Sequence, residues 1–163
     1  MYLLDAPVVI ALRKVRTGSV DAGMSAWAVS VQRQSLFLSV LTLYELEGHA
    51  AVAARHDKAA GDLWRRWIDD QIMRAFDGRI LGVDAPIVRR AAELDYSEER
   101  DALLAATALV HGMTLVTFRA RAFKSGRVRT FDPVGYIPKG SVEDWRQAAR
   151  AGPGWIKNLF VRN

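Results

Sequence analysis

Asp5, Glu45 and Asp101 are the residues of this chain best placed to do chemistry together. Asp5 follows the apolar run Met1–Leu4, Glu45 comes shortly after Leu36–Val40, and Asp101 lies early in a helix-like segment. In a parallel α/β fold, strand-to-helix junctions gather at one edge of the sheet, outside the carboxyl ends of the strands, where ligands bind. Three carboxylates gathered there repel one another unless a hard cation stands between them. Oxygen donors of this kind suit Mg²⁺ or Mn²⁺, so the first expectation is metal-dependent phosphoryl transfer. Each acid also has a structural role open to it. Asp5 can cap a helix. Glu45 completes a capping box, Thr42-Leu43-Tyr44-Glu45. Asp101 suits the positive end of a helix dipole.

The elements that must position these acids follow from the apolar pattern. Met1–Leu4, Leu36–Val40, Arg79–Val83 and Thr114–Thr117 read as short buried strands, with Val128–Phe131 as a last edge strand. Between them, helical patterns cover Ala6–Val15, Met24–Gln34, Thr42–Arg55, Lys58–Phe76, Ala85–Leu94 and Ser97–His111. Asp5 and Asp84 precede Ala-Pro pairs, which makes them N-caps with proline in the first turn. Gly112 suits the left-handed position that ends a helix. Strands alternating with helices predict a parallel sheet covered on both faces.

The 163 residues fit one domain, half of it hydrophobic, which is enough for a sizeable core. With no cysteine, disulfides and thiolate zinc sites are excluded. No secretory leader or membrane-length apolar run is legible, so a cytoplasmic location with no membrane contact is expected. Charge is unevenly spread. Residues 1–118 carry 13 Lys/Arg against 15 Asp/Glu, a net −2, while residues 119–163 carry 10 against 3, a net +7. That asymmetry suggests a polyanion partner, nucleic acid above all; a solvated basic tail is the alternative. The three histidines lack metal-ligand spacing, and neither a nucleophile elbow nor a glycine-rich phosphate loop is present.

The segments MYLLDAPVVIALRK, SLFLSVLTLYELEGHA, RILGVDAPIVRRAAEL and RDALLAATALVHGMTLVTFRARAF together resemble PIN-domain proteins. The nearest branch is that of the VapC-like toxins of bacterial toxin–antitoxin pairs. The resemblance covers roughly residues 1–133, as one PIN-like domain. Residues 134–163 are left as an extension, with a helix expected at Val142–Ala151, packed on the domain or on a partner. It implies a three-layer α/β/α sandwich around a central, mostly parallel sheet of four or five strands. It also implies ribonuclease activity with Mg²⁺ or Mn²⁺, leaving a 5′-phosphate and a 3′-hydroxyl. Asp5, Glu45 and Asp101 would be the catalytic and metal-binding acids, and Thr117 would support them. Arg119, Arg121, Lys124, Arg127 and Arg129 would clamp RNA phosphates. An antitoxin and a homodimer are the implied protein partners, with Trp27, Val31, Trp64 and Trp67 as a candidate dimer surface or, alternatively, core.

The chain also departs from the family pattern. Where the family begins Asp-Thr-Asn, this chain has Asp5-Ala6-Pro7. Where the family places an asparagine and then an aspartate after the late strand, it has Arg119 and Ala122. The fourth acid is missing, and an arginine that stays charged at any working pH enters beside the others. It can pair with Asp5 or Asp101 and take part of a cation's place. Two expectations follow: a ribonuclease toxin with a reduced site, or a degenerate PIN domain that binds RNA or protein without cutting.

Overall fold

The computed structural model describes residues 1–15 and 19–138. Strands β1 (Tyr2–Leu4), β2 (Leu36–Ser39), β3 (Ile80–Leu81), β4 (Thr114–Val116) and β5 (Thr130–Phe131) form one sheet in the order β3-β2-β1-β4-β5. Every pairing is parallel. Helices α1 (Ala6–Arg13), α2 (Ala22–Ser30), α3 (Val40–His56), α4 (Lys58–Trp67), α5 (Ala85–Ala92) and α6 (Glu99–Val110) make the crossovers and flanks.

Strand side chains alternate between faces, and the two faces bury different clusters. Leu4, Leu36, Leu38 and Val116 join Trp27, Leu46, Trp67 and Phe76 on one side. Leu3 and Leu115 join Leu104, Ala108, Met113 and Phe123 on the other. The expected three layers are therefore present. The chain starts in the centre at β1, winds outward through β2 and β3, then returns to place β4 and β5 on the far side of β1. The winding direction reverses between β1 and β4, and a crevice opens at their carboxyl ends.

Local chemistry sets most helix starts as expected. Asp5 accepts from the Ala6 amide at 3.0 Å, and Asp84 accepts from the Ile87 amide at 3.1 Å. Gly112 takes φ +61° just past α6. Helix α3 differs. It begins at Val40, with the Ser39 hydroxyl accepting from the Leu41 amide at 3.2 Å. Thr42 is therefore inside the helix, and its hydroxyl donates to the Leu4 carbonyl at 2.9 Å. The capping box fails because Ser39 reaches the free amides first, and Glu45 is released for another role. The helix expected over Lys58–Phe76 is α4 followed by a π-wound segment, Ile68–Met73. Trp67 and Ile68, at the junction of the two, are both buried.

Of the expected stripe, Trp27 and Trp67 belong to the core, while Val31 and Trp64 are only partly buried against it. Trp27 and Trp67 are 2% and 1% exposed. Trp27 packs on Tyr2 and Phe131, and Trp64 lies between His49 and Trp67 with the Arg13 guanidinium over its ring. Trp27 from α2 and Trp67 from α4 fill the core, and Trp64 covers its edge beside exposed His49. Beyond residue 133 the chain stays on the domain as far as it is described. The Gly135 amide donates to Asp21 at 2.9 Å, and Tyr136 packs edge-on against Phe131. A Cβ on Gly23 would stand 2.2 Å from the Tyr136 nitrogen, so glycine is required at that crossing. The expected helix Val142–Ala151 and the rest of the extension lie outside the described residues.

Candidate active site

The carboxyl ends of β1 and β4 carry Asp5 and Thr117, both fully buried. The Asp5 amide donates to the Val116 carbonyl at 3.0 Å, which locks the two strand ends together. One Asp5 oxygen accepts from the Thr117 hydroxyl at 2.7 Å. Asp5 is thus an N-cap and a member of the crevice at once; the two readings of it are compatible. Glu45 reaches the crevice from the second turn of α3, and Asp101 from the first turn of α6, where it is 5% exposed.

Two guanidiniums stand between these acids. Arg100 donates to Asp5 at 2.5 Å and to Asp101 at 2.6 Å, and its Nε forms an ion pair with Glu45. It therefore touches all three carboxylates. Arg119 forks onto Asp101 at 2.9 and 3.0 Å and lies 3.7 Å from Asp5. A planar fork on a carboxylate is the strongest form of this contact. The Arg119 amide also donates to the Thr117 hydroxyl at 3.1 Å, which fixes its stem at the strand end.

The electrostatic consequence is specific. Burial alone would raise the Asp101 carboxyl, but hydrogen bonds from Arg119 and then Arg100 outweigh it and hold the group below its ordinary range. The same bond from Asp101 holds the Arg119 guanidinium above its usual value, against the opposing effect of burial. With three carboxylates and two guanidiniums, the cluster keeps one net negative charge. By donor type it suits Mg²⁺ or Mn²⁺, but as arranged it does not fit one. Among the described residues no group of three or more His, Asp or Glu side chains is disposed to hold a metal ion. The position that would carry a fourth acid holds exposed Ala122.

The sequence-derived basic residues divide between the two edges of the sheet. Arg119 is in the crevice. Arg121 and Lys124 are exposed on the turn that follows it, whose Phe123 is fully buried. Tyr96 braces that turn by donating to the Phe123 carbonyl at 3.1 Å. Arg127 is exposed in a left-handed conformation, φ +53°. Arg129 lies apart from the crevice. It precedes β5 and donates to the Gly112 carbonyl at 2.7 Å, at the amino edge of the sheet. It stands there because a parallel strand puts its first residue at the edge away from the crevice.

Arg100 is the residue of this cluster that sequence reasoning missed. Its signal was adjacency to Asp101 in the run Arg100-Asp101-Ala102-Leu103. Nothing in periodicity says that a first-turn arginine turns inward to meet residues 55 and 95 positions away.

The PIN domain family model matches residues 2–125. The chain belongs to the PIN family. Ribonuclease VapC14 of Mycobacterium tuberculosis is 33% identical to this PIN domain over 96 residues, 59% of this chain and 90% of its own. The VapC ribonuclease Y4jK of Sinorhizobium fredii is 26% identical over 142 residues, 82% of this chain and 97% of its own. The crystal structure of FitAcB from Neisseria gonorrhoeae superposes with a TM-score of 0.71 at 25% identity, covering 82% of this chain and 98% of that one. The five-stranded parallel sheet and its flanking helices are the PIN architecture.

Proposed function

We propose that this PIN domain is a ribonuclease toxin of the VapC type, which hydrolyses RNA phosphodiesters at the Asp5–Glu45–Asp101 cluster and is held by a cognate antitoxin. The observation that carries this reading is convergence. Three acids from three separate elements meet, with Thr117, at the crevice between β1 and β4, where an α/β sheet binds ligands. The relatives named as ribonucleases support the reaction class, and the likeness to FitAcB, together with 28% identity over 116 residues to the toxin FitB of Neisseria gonorrhoeae, supports the toxin reading and its partner.

Arg119, with 45% of its side chain exposed, and the exposed Arg121 and Lys124 are the chain's own phosphate contacts in this reading. Mg²⁺ or Mn²⁺ belongs to the proposal only for a state in which the guanidiniums have left the carboxylates. A cytoplasmic location and a homodimer belong to it as well, the second measurable by sedimentation. No helix among the described residues is long and apolar enough to cross a membrane.

The test is cleavage of single-stranded RNA by the purified chain, with Asp5→Asn and Asp101→Asn beside it. Cleavage that falls at least a hundredfold in both variants supports the proposal. Intact RNA bound in a salt-sensitive, metal-independent way supports the second reading, a non-catalytic RNA-binding module. The relatives named as ribonucleases weigh against that alternative.

A further inference from the structure

We propose that Arg100 and Arg119 are the resident cations of the acid cluster, and that they exclude a divalent ion from the free chain. This rests on reading Asp5, Glu45 and Asp101 as the reaction centre, but concerns only what occupies it.

The inference starts from charge and position. Asp5 is wholly buried and Asp101 nearly so; buried carboxylates persist as anions only when paired and hydrogen-bonded. Here the pairing is complete without any ion. Both Asp5 oxygens are taken, one by Arg100 and the Ala6 amide and the other by Thr117. Both Asp101 oxygens are taken by Arg119, and one also by Arg100. Glu45 is turned to Arg100. A divalent cation would have to break at least the contacts of Arg100 with all three acids, and it would meet a cluster with a net charge of only −1. It would also feel the repulsion of two fixed positive charges a few ångströms away.

The two arginines are not equivalent. Arg100 is 26% exposed and touches three acids, whereas Arg119 is 45% exposed and forks onto one. Removing either takes the cluster to −2, and removing both takes it to −3. Divalent affinity is therefore expected to rise stepwise, and the larger single step belongs to Arg100.

Calorimetric titration of MnCl₂ into the full chain tests this without any RNA. The wild-type chain is expected to show no saturable binding below millimolar Mn²⁺. Arg100→Ala and Arg119→Asn are each expected to gain at least tenfold, and the double variant at least tenfold more. Adding Asp5→Asn to the double variant is expected to abolish the gain. Melting temperatures give a second readout. Each arginine variant should melt lower than wild type in EDTA and recover in Mn²⁺, because an ion that binds only the folded state stabilises it.

Micromolar Mn²⁺ binding by the wild-type chain, lost in Asp5→Asn, would overturn the proposal. So would a folded Arg119→Asn chain that binds Mn²⁺ no better than wild type, and this milder variant serves if Arg100→Ala does not fold. The ribonuclease reading fails separately, if RNA stays intact even with the double arginine variant saturated with Mn²⁺.

Discussion

At the amino edge of the sheet, Arg33 and Arg79 form a close pair that holds backbone carbonyls. At the carboxyl edge, Arg100 and Arg119 form a close pair that holds carboxylates. Arg79 donates to the Arg33 carbonyl at 2.5 Å, to the Leu36 carbonyl at 2.8 Å and to the Ala75 carbonyl. Arg33 reaches the Ala75 carbonyl at 2.9 Å and the Arg74 carbonyl at 3.2 Å. These contacts close the end of the helix that follows α4. Burial, and then the neighbouring Arg33, lower the Arg79 guanidinium from its usual value, whereas Asp101 raises that of Arg119. At the first edge the arginines satisfy partial charges that the fold would otherwise leave bare. At the second they neutralise full charges that the fold has gathered. The same side chain is mortar in one place and occupant in the other, and only its acceptors tell which.

The sharpest way to break this comparison is to remove one arginine from each edge. Arg100→Ala is expected to cost about 3 kcal/mol of stability, since it leaves buried carboxylates uncompensated. Urea midpoints in EDTA measure the loss, and Mn²⁺ should reverse most of it. Arg79→Ala is expected to cost about 2 kcal/mol through unpaired carbonyls, and Mn²⁺ should leave that loss untouched. If metal rescues both or neither, the two edges do not differ as described.

Acid titration sharpens the same contrast with a smaller effect. The Asp101 carboxyl is depressed in the folded chain. Its contribution is therefore complete above the ordinary carboxylate value, about pH 4, and is lost as pH falls through the lowered folded value. The wild-type melting temperature should drop more steeply below about pH 4 than that of Asp101→Asn. Equal slopes would mean that the guanidinium contacts do not hold that carboxylate.

The smallest effects belong to arginines outside these two pairs. Arg74 and Asp70 form an exposed pair at 3.4 Å on the outer face, and Arg74→Ala should change the urea midpoint by less than about 0.5 kcal/mol in stability terms. For RNA affinity, Arg121→Ala should lower the slope of log affinity against log salt by about 0.7 if it holds one phosphate of a single strand. Arg129→Ala should leave that slope unchanged, because Arg129 is committed to Gly112.

Much of the fold was legible because its signals are local. Largely apolar runs of four or five residues between polar turns marked the strands, although each proved a residue or two shorter at one end or both. The Asp-Ala-Pro triplets at residues 5 and 84 fixed two helix starts, since a cap and a proline act within one turn of chain. The Thr42 capping box misled because it was equally local and lost to a better-placed neighbour, Ser39. The acids of the site were legible by type and by their places after a strand (Asp5, Glu45) or early in a helix (Asp101). Their occupants were only half legible: Arg119 through a departure from a family pattern, and Arg100 not at all.

By itself, the sequence determined the alternation of strand and helix, the caps, and the chemical kind of each candidate group. Those follow from interactions between residues a few positions apart. Tertiary structure decided which charges meet. The order β3-β2-β1-β4-β5 brings Arg100 to an acid 95 positions earlier in the chain. The parallel sense of the strands sends Arg119 to the carboxyl edge and Arg129 to the opposite one. Coulomb attraction and burial act on distance in space, and sequence spacing carries that distance only after the strand order is known.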